Sequence, residues 1–174
     1  MGFDVSGLKP KVNVRMVEFE NYHAIESLEY QERWSLLDSL TDKERDTYYA
    51  EMEEYFEANP GMYFRNNVWW WRPLWSYTCM ICEDIMTADD MGGGDFNDGY
   101  VIKKTKALKM GRLLDKSIKS GEAQDYSDKI KKDNDKRSKS DDKDTQFLSN
   151  YPFDVENVKR FARFLKQSGG IVIC

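Results

Sequence analysis

The stretch 63-YFRNNVWWWRPLWSY-77 holds four of the five tryptophans of the chain, together with two arginines and two adjacent asparagines. Three consecutive rings cannot all face one way. On a strand, Trp69 and Trp71 would share one face and Trp70 would lie on the other, whereas on a helix the three rings would fan around the axis. We therefore expect at least one ring at the surface or in a cleft.

The charged and amide groups beside the rings favour a binding site. Tryptophan faces can hold a planar or cationic group, and Arg65 and Arg72 can hold phosphate or carboxylate by forked hydrogen bonds. Pro73 fits the first turn of a helix, whose free N–H groups attract an anion. The competing interpretation is that the rings fill the core and the arginines pair with acids. Both interpretations stay open, and the core is favoured for Trp70.

Two strands are predicted outside this stretch. Alternation in 11-KVNVRMVEF-19 is typical of a half-buried strand, and Ile171–Cys174 follows two glycines as a short apolar run. Because both read as strands, we expect them to pair in a small sheet. Helical spacing and capping patterns predict helices over 24–40, from 41-TDKE-44 to about Ala58, over 73–87, over 104–119 with Gly121 ending it, and from Asp154 onward. The predicted fold is α+β, mostly helical, with 1–174 as a single domain.

Two segments lack such patterns. Residues 88–101 are rich in Gly and Asp and are predicted to form a loop. Residues 122–146 mix acids and bases with few apolar side chains, so we expect a mobile or weakly helical surface insertion. Within the first segment, 95-DFNDG-99 could hold Ca²⁺ or Mg²⁺ on its oxygens, but it lacks the EF-hand spacing, and a tight turn is favoured. Such a turn can aim Asn97 or Asp98 into a cleft.

Three further motifs could indicate a metal, redox, catalytic or phosphate-binding site, but in each case the neighbouring sequence does not support that function. Cys79 and Cys82 form a C-x-x-C, but they fall inside a predicted helix, where packing as small apolar residues is favoured over zinc or redox chemistry. His23 is the only histidine, and no nucleophile motif accompanies it. The run 92-GGG-94 lacks the Lys-Ser/Thr that completes a P-loop. No metal site is predicted, and no cofactor is indicated.

Composition limits the classes of function. The formal net charge of -5 and the pI of about 5.1 argue against general nucleic-acid binding, which needs a basic face. No apolar run approaches a membrane span in length. With three cysteines and no secretion signal, a cytoplasmic location is expected.

Several blocks occur together in one order: MGFDVSG, YFRNNVWWWRPLW, FNDG, and YPFDVENV with the ending SGGIVIC. In this combination the chain resembles a family of small bacterial and bacteriophage proteins that carries no established activity. The resemblance implies an intracellular protein of one domain, in the host cytoplasm where the protein is viral, and it transfers no catalytic residue. Similar proteins often carry two C-x-x-C-type knuckles where this chain has the Lys/Asp-rich segment 122–144, without cysteine.

The function predicted first is that of a binding protein that holds a small anionic ligand or a protein partner; for a phage-encoded protein, the resemblance implies a host-modulating role. We expect its site among Arg65, Asn67, Trp69, Trp71, Arg72, Asn97 and Asp98. A second hypothesis is an enzyme for a nucleotide or other phosphorylated substrate, with Asp98 or Asp95 as acid/base or metal ligand. A third is an assembly protein with the tryptophans as interface anchor.

Overall fold

The computed structural model describes residues 2–174 of the protein. In chain order, the described elements are β1 (Gly2–Gly7), a 3-10 turn (Met16–Glu18), α1 (Glu20–Glu26), α2 (Tyr30–Ser39), α3 (Asp42–Ala58), β2 (Tyr63–Asn67), α4 (Val68–Ile81), α5 (Ala88–Gly93), β3 (Tyr100–Lys103), α6 (Lys104–Ser120), α7 (Glu122–Arg137), α8 (Lys143–Leu148), α9 (Val155–Gln167) and β4 (Gly170–Ile173). The fold is α+β, as predicted.

The four strands form one antiparallel sheet in the order β2-β1-β4-β3. The N-terminal strand pairs with the C-terminal strand at the centre, with Val5 opposite Ile173. A sheet that contains an N-terminal and a C-terminal strand is thus confirmed, but the strand that pairs with β4 is Gly2–Gly7 and not 11–19. Alternation along β1 turns Phe3 and Val5 inward and Asp4 outward, so the sheet has one apolar and one polar face.

Helices α4, α6 and α9 cover the apolar face of the sheet. Helix α9 is strongly amphipathic, and its Phe161, Phe164 and Leu165 are buried against the sheet and α6. On α6, Gly111 allows close approach of the two helices, because a Cβ there would lie 2.9 Å from the Ala162 carbonyl oxygen. This packing forms the main core.

Helices α1 to α3 form a second apolar cluster beside the sheet. Its buried members are Tyr22, Ile25, Leu37, Tyr48 and Tyr55. The buried side chain of Asn59, just after α3, binds the loop that precedes α1. Its oxygen accepts hydrogen bonds from the backbone N–H groups of Asn13 and Val14. Its amide donates to the carbonyl oxygens of Val14 and Tyr55.

The strand predicted over 11–19 is wrong. That segment is irregular apart from the 3-10 turn, and Val12 is 53% exposed. Its backbone N–H groups at Asn13 and Val14 are bound by Asn59 instead of a neighbouring strand. The N-terminal strand of the sheet is Gly2–Gly7. Only Phe3 and Val5 alternate there, and the glycines at both ends of the segment are not typical of a strand.

Two predicted helices differ in extent. The helix expected over 24–40 is two helices, which separate where the Ser27 hydroxyl donates to the His23 carbonyl and caps the end of α1. The helix expected over 73–87 begins at Val68, because Asn67 provides the cap, and Pro73 lies inside it.

The two segments without a helical pattern also contain regular structure. Residues 88–101 hold α5 and the start of β3, and a capping box at Thr87 and Asp90 begins α5. Within 122–146, residues Glu122–Arg137 form helix α7. Ala123 and Ser127 of α7 are buried, so this helix contributes a packed face to the main core despite its many charges.

Candidate functional site

Trp71 lies in the centre of the main core. Its side chain is 0% exposed, it stacks on Phe3 and Trp75, and its indole N–H donates to the Gly94 carbonyl. The residue therefore contacts no solvent, and its assignment to a ligand-binding surface is corrected. The interpretation of a ring that fills the core therefore applies to Trp71. For Trp70, where the sequence favours the core, the structure shows a side chain that is 36% exposed.

Asn67 has a structural role at the start of α4. Its side-chain oxygen accepts hydrogen bonds from the backbone N–H groups of Trp69 and Trp70, at 3.1 and 3.2 Å. This is the geometry of an N-cap. Because these N–H groups already donate to Asn67, they are not free to bind an anion at the start of α4, as the sequence had indicated for a helix that begins at Pro73.

Trp69 is half-buried and Trp70 is exposed, and Trp69 lies next to a part of the chain far away in sequence. The Trp69 ring packs on Tyr151 and Phe147, with centroids 4.9 and 5.2 Å apart. Phe147 and Leu148, at the end of α8, are both exposed. We call the patch formed by these five side chains the aromatic surface: Trp69, Trp70, Phe147, Leu148 and Tyr151.

A groove of about 350 Å³ adjoins the aromatic surface at Trp70. Helix α7 and the segment 152–154 form its other walls. Asn134 of α7 donates to the Tyr151 carbonyl and so fixes this segment against the helix. The charged members of the groove wall are Lys131, Asp135 and Asp154. The groove thus has an aromatic side and a rim of mixed charge.

The remaining predicted site residues lie elsewhere. Arg65 extends from the polar face of the sheet and pairs with Asp4, with Nε 3.4 Å from Oδ1. Tyr63 donates its hydroxyl to the same carboxylate, and burial followed by this hydrogen bond raises the pKa of Tyr63 to about 12. The polar groups of this cluster are therefore bonded to one another.

The loop before β3 is a turn with one defined anchor. Asn97 donates to the Gly2 carbonyl at 2.6 Å, and Gly99 has a φ of +87°, which favours glycine. Asp98 is exposed and makes no side-chain hydrogen bond within residues 2–174. Arg72 is likewise exposed on α4, and no ion pair reaches it among the described residues.

The C-x-x-C cysteines are packed side chains. Burial raises the pKa of the Cys82 thiol to about 12, with a smaller contribution from Cys79. Burial and then the nearby charge of Asp95 raise the pKa of Cys79 to about 11. Both thiols thus stay protonated near neutral pH. In residues 2–174 no group of three His, Cys, Asp or Glu side chains is arranged to hold a metal ion.

The sequence interpretation missed Phe147, Leu148 and Tyr151. They fall between segments with clear patterns, and no local spacing shows that they meet Trp69. The available hint was compositional, since 147-FLSNYPF-153 is apolar and aromatic directly after a charged segment.

A comparison of the chain with protein families, with curated proteins and with solved structures found no match. The family resemblance therefore stays a prediction. Across residues 2–174, every helix is too short or too polar to span a bilayer.

Proposed function

We propose that the protein binds a protein partner through the aromatic surface. The observation that carries this proposal is the exposure of large apolar side chains from two distant parts of the chain in one patch. Phe147 is 52% exposed and Leu148 is 47% exposed, and α8 buries none of its residues. Exposed apolar patches are typical of protein-interaction sites, and Trp and Tyr are typical anchors there.

Charged side chains line the groove beside this surface. Lys131, Asp135 and Asp154 lie in the wall of the groove at Trp70. These mixed charges supply the polar rim that protein interfaces usually have around an apolar centre.

A small anionic ligand is supported less well. Arg65 is bonded to Asp4 on the polar face of the sheet, and Asn67 already occupies the N–H groups at the start of α4. An enzymatic reaction on a phosphorylated substrate is supported less for a similar reason, because Asp98 makes no hydrogen bond to an arginine among the described residues. The assembly hypothesis uses the same surface, with a second copy of the chain as the partner.

Site-specific photo-crosslinking tests the proposal. Phe147 is replaced by benzoylphenylalanine in the full chain, and cells that express it are irradiated; if the protein is phage-encoded, as the resemblance implies, host cells are the right setting. We expect discrete adducts to a partner, which Trp70→Ala reduces. The same probe at Lys159, exposed on α9, is the matched control.

Adducts no stronger at position 147 than at position 159 would contradict the proposal. An adduct with twice the mass of the chain would identify a second copy as the partner and would support assembly.

A further inference from the structure

Charge is divided unevenly between two parts of this molecule. Residues 16–58, which contain α1 to α3 and which we call the acidic unit, hold 13 Asp or Glu and 3 Lys or Arg, a formal net charge of -10. The rest of the chain holds 18 Asp or Glu and 23 Lys or Arg, a formal net charge of +5. The overall value of -5 therefore conceals a strongly acidic part beside a mildly basic one.

Helix α2 presents an aromatic face on this acidic unit. Tyr30 is 70% exposed and Trp34 is 51% exposed, and their rings meet edge to face with centroids 6.2 Å apart. Residues four apart share one helix face, so the two rings form a short ladder along α2. Among the ten residues of α2, only Leu37 is buried. The two rings are exposed although they lie on the same helix face as Leu37, which follows Trp34 by three residues.

One carboxylate lies on the face of this ladder. Asp38 follows Trp34 by one turn, whereas Glu29 precedes the first residue of α2 and Glu32 lies on the other side of the helix. Within residues 2–174, no ion pair reaches any of these three acids. The one arginine of α2, Arg33, is held by Glu26 with Nη1 and Oε2 2.9 Å apart. The face therefore combines two exposed rings with the Asp38 carboxylate, which no ion pair reaches among the described residues, and Arg33 beside it is already paired.

We propose that this face of α2 docks an arginine-rich segment of a partner protein. A guanidinium can stack on the Trp34 or Tyr30 ring, where a cation and an aromatic face attract each other. The same group can bind Asp38, one turn from Trp34, by forked hydrogen bonds. Lysine offers only a point charge and stacks less well, so arginine is preferred. The net charge of -10 steers such a basic partner to the acidic unit.

This docking face is separate from the aromatic surface, which belongs to α4, α8 and the segment after α8. The proposal therefore goes beyond the function proposed above, and either can fail without the other. Together the two surfaces would make the protein a bridge between two partners.

Fluorescence anisotropy with a labelled octa-arginine peptide tests the docking face on the full chain, at about 150 mM salt so that weak surface attraction is screened. We expect Trp34→Ala to weaken binding about tenfold, which corresponds to the loss of a desolvated cation–π contact. Trp70→Ala, the matched removal of an exposed tryptophan on the other surface, should leave the affinity within about twofold. Octa-lysine should bind more weakly than octa-arginine.

Equal affinity of wild type and Trp34→Ala for the arginine peptide would overturn the proposal, as would equal binding of octa-lysine, since either result would reduce the interaction to charge alone. The variant Asp38→Asn should also weaken binding and should reduce its dependence on salt. Sedimentation that shows a dimer lost on Trp34→Ala would overturn it too, because a second copy would then be the occupant. Thermal unfolding confirms that each variant is folded.

Discussion

The indole N–H of Trp71 donates a hydrogen bond to the Gly94 carbonyl oxygen over 2.7 Å. The bond joins α4 to the end of α5 inside the main core, where Trp71 is 0% exposed. Trp71 is thus held in the interior. Because its side chain points inward, the neighbouring side chain of Trp70 points towards the surface.

Trp71→Phe should lower the free energy of unfolding by about 2–4 kcal/mol, because it leaves a cavity and removes the donor for the buried Gly94 carbonyl. Trp70→Ala is the matched control and should change stability far less, since Trp70 is 36% exposed. Urea unfolding followed by circular dichroism measures both. Similar losses for the two variants would show that the assignment of core and surface is wrong.

Asn67→Ala should lower the free energy of unfolding by about 1 kcal/mol, because the N–H groups of Trp69 and Trp70 lose their cap. Asn67→Asp should restore most of this stability, since aspartate is an equally good N-cap. Chemical denaturation of the three proteins side by side gives the comparison. An alanine variant as stable as wild type would return Asn67 to the list of ligand-binding residues.

The three consecutive glycines should respond differently to alanine. A Cβ at Gly93 would overlap the Tyr100 ring, and one at Gly94 would overlap the Trp75 ring, whereas a Cβ at Gly92 would meet nothing within 4 Å. We expect Gly93→Ala and Gly94→Ala to destabilise the protein by about 1–3 kcal/mol or more. Gly92→Ala, in α5, should be neutral or slightly stabilising. The melting temperatures of the three variants measure this ranking. A Gly92→Ala variant that is destabilised as much as the other two would contradict the packing described here.

Stability should depend on the ionisation of Asp90. Burial raises the pKa of this carboxyl, but hydrogen bonds from Lys106, Thr87 and Tyr100 together lower it to about 2, below the ordinary 3.8. Because the pKa is lower in the folded state, the carboxylate contributes stability above pH 3.8 and loses it as the pH falls towards 2. The contribution is about 2 kcal/mol.

The difference in unfolding free energy between wild type and Asp90→Asn should therefore shrink as the pH falls from 6 to 2. Urea titrations at a series of pH values measure it. Asp98→Asn is the control, because Asp98 is exposed and makes no side-chain hydrogen bond within residues 2–174. A difference that stays constant with pH would place the effect of the substitution in packing and not in charge.

Features controlled by neighbouring residues could be predicted from the sequence. The capping box of Thr41 and Glu44, the N-cap at Asp154 and the left-handed end of α6 at Gly121 are all confirmed. Each depends on hydrogen bonds or backbone angles within a few residues, so the local pattern contains the necessary information.

Features controlled by distant contacts could not be predicted. Alternation at 11–19 resembled a strand, but the side chain of Asn59 binds that backbone. The aromatic surface depends on the approach of Phe147 and Tyr151 to Trp69, which helix α7 arranges from the far side of the groove. The sequence indicated correctly that part of the tryptophan stretch lies at the surface, but it could not assign the individual rings.

The pairing of Val5 with Ile173 at the centre of the sheet has a consequence for the order of folding. On a ribosome, β1 emerges long before β4, and the sheet cannot close until its last strand has been synthesised. The acidic unit depends mainly on contacts within residues 16–58, and it can form while the rest is still being made. We therefore expect a fragment that ends at residue 62, before β2, to protect the amides of α3 while β1, without its partners β2 and β4, still exchanges freely.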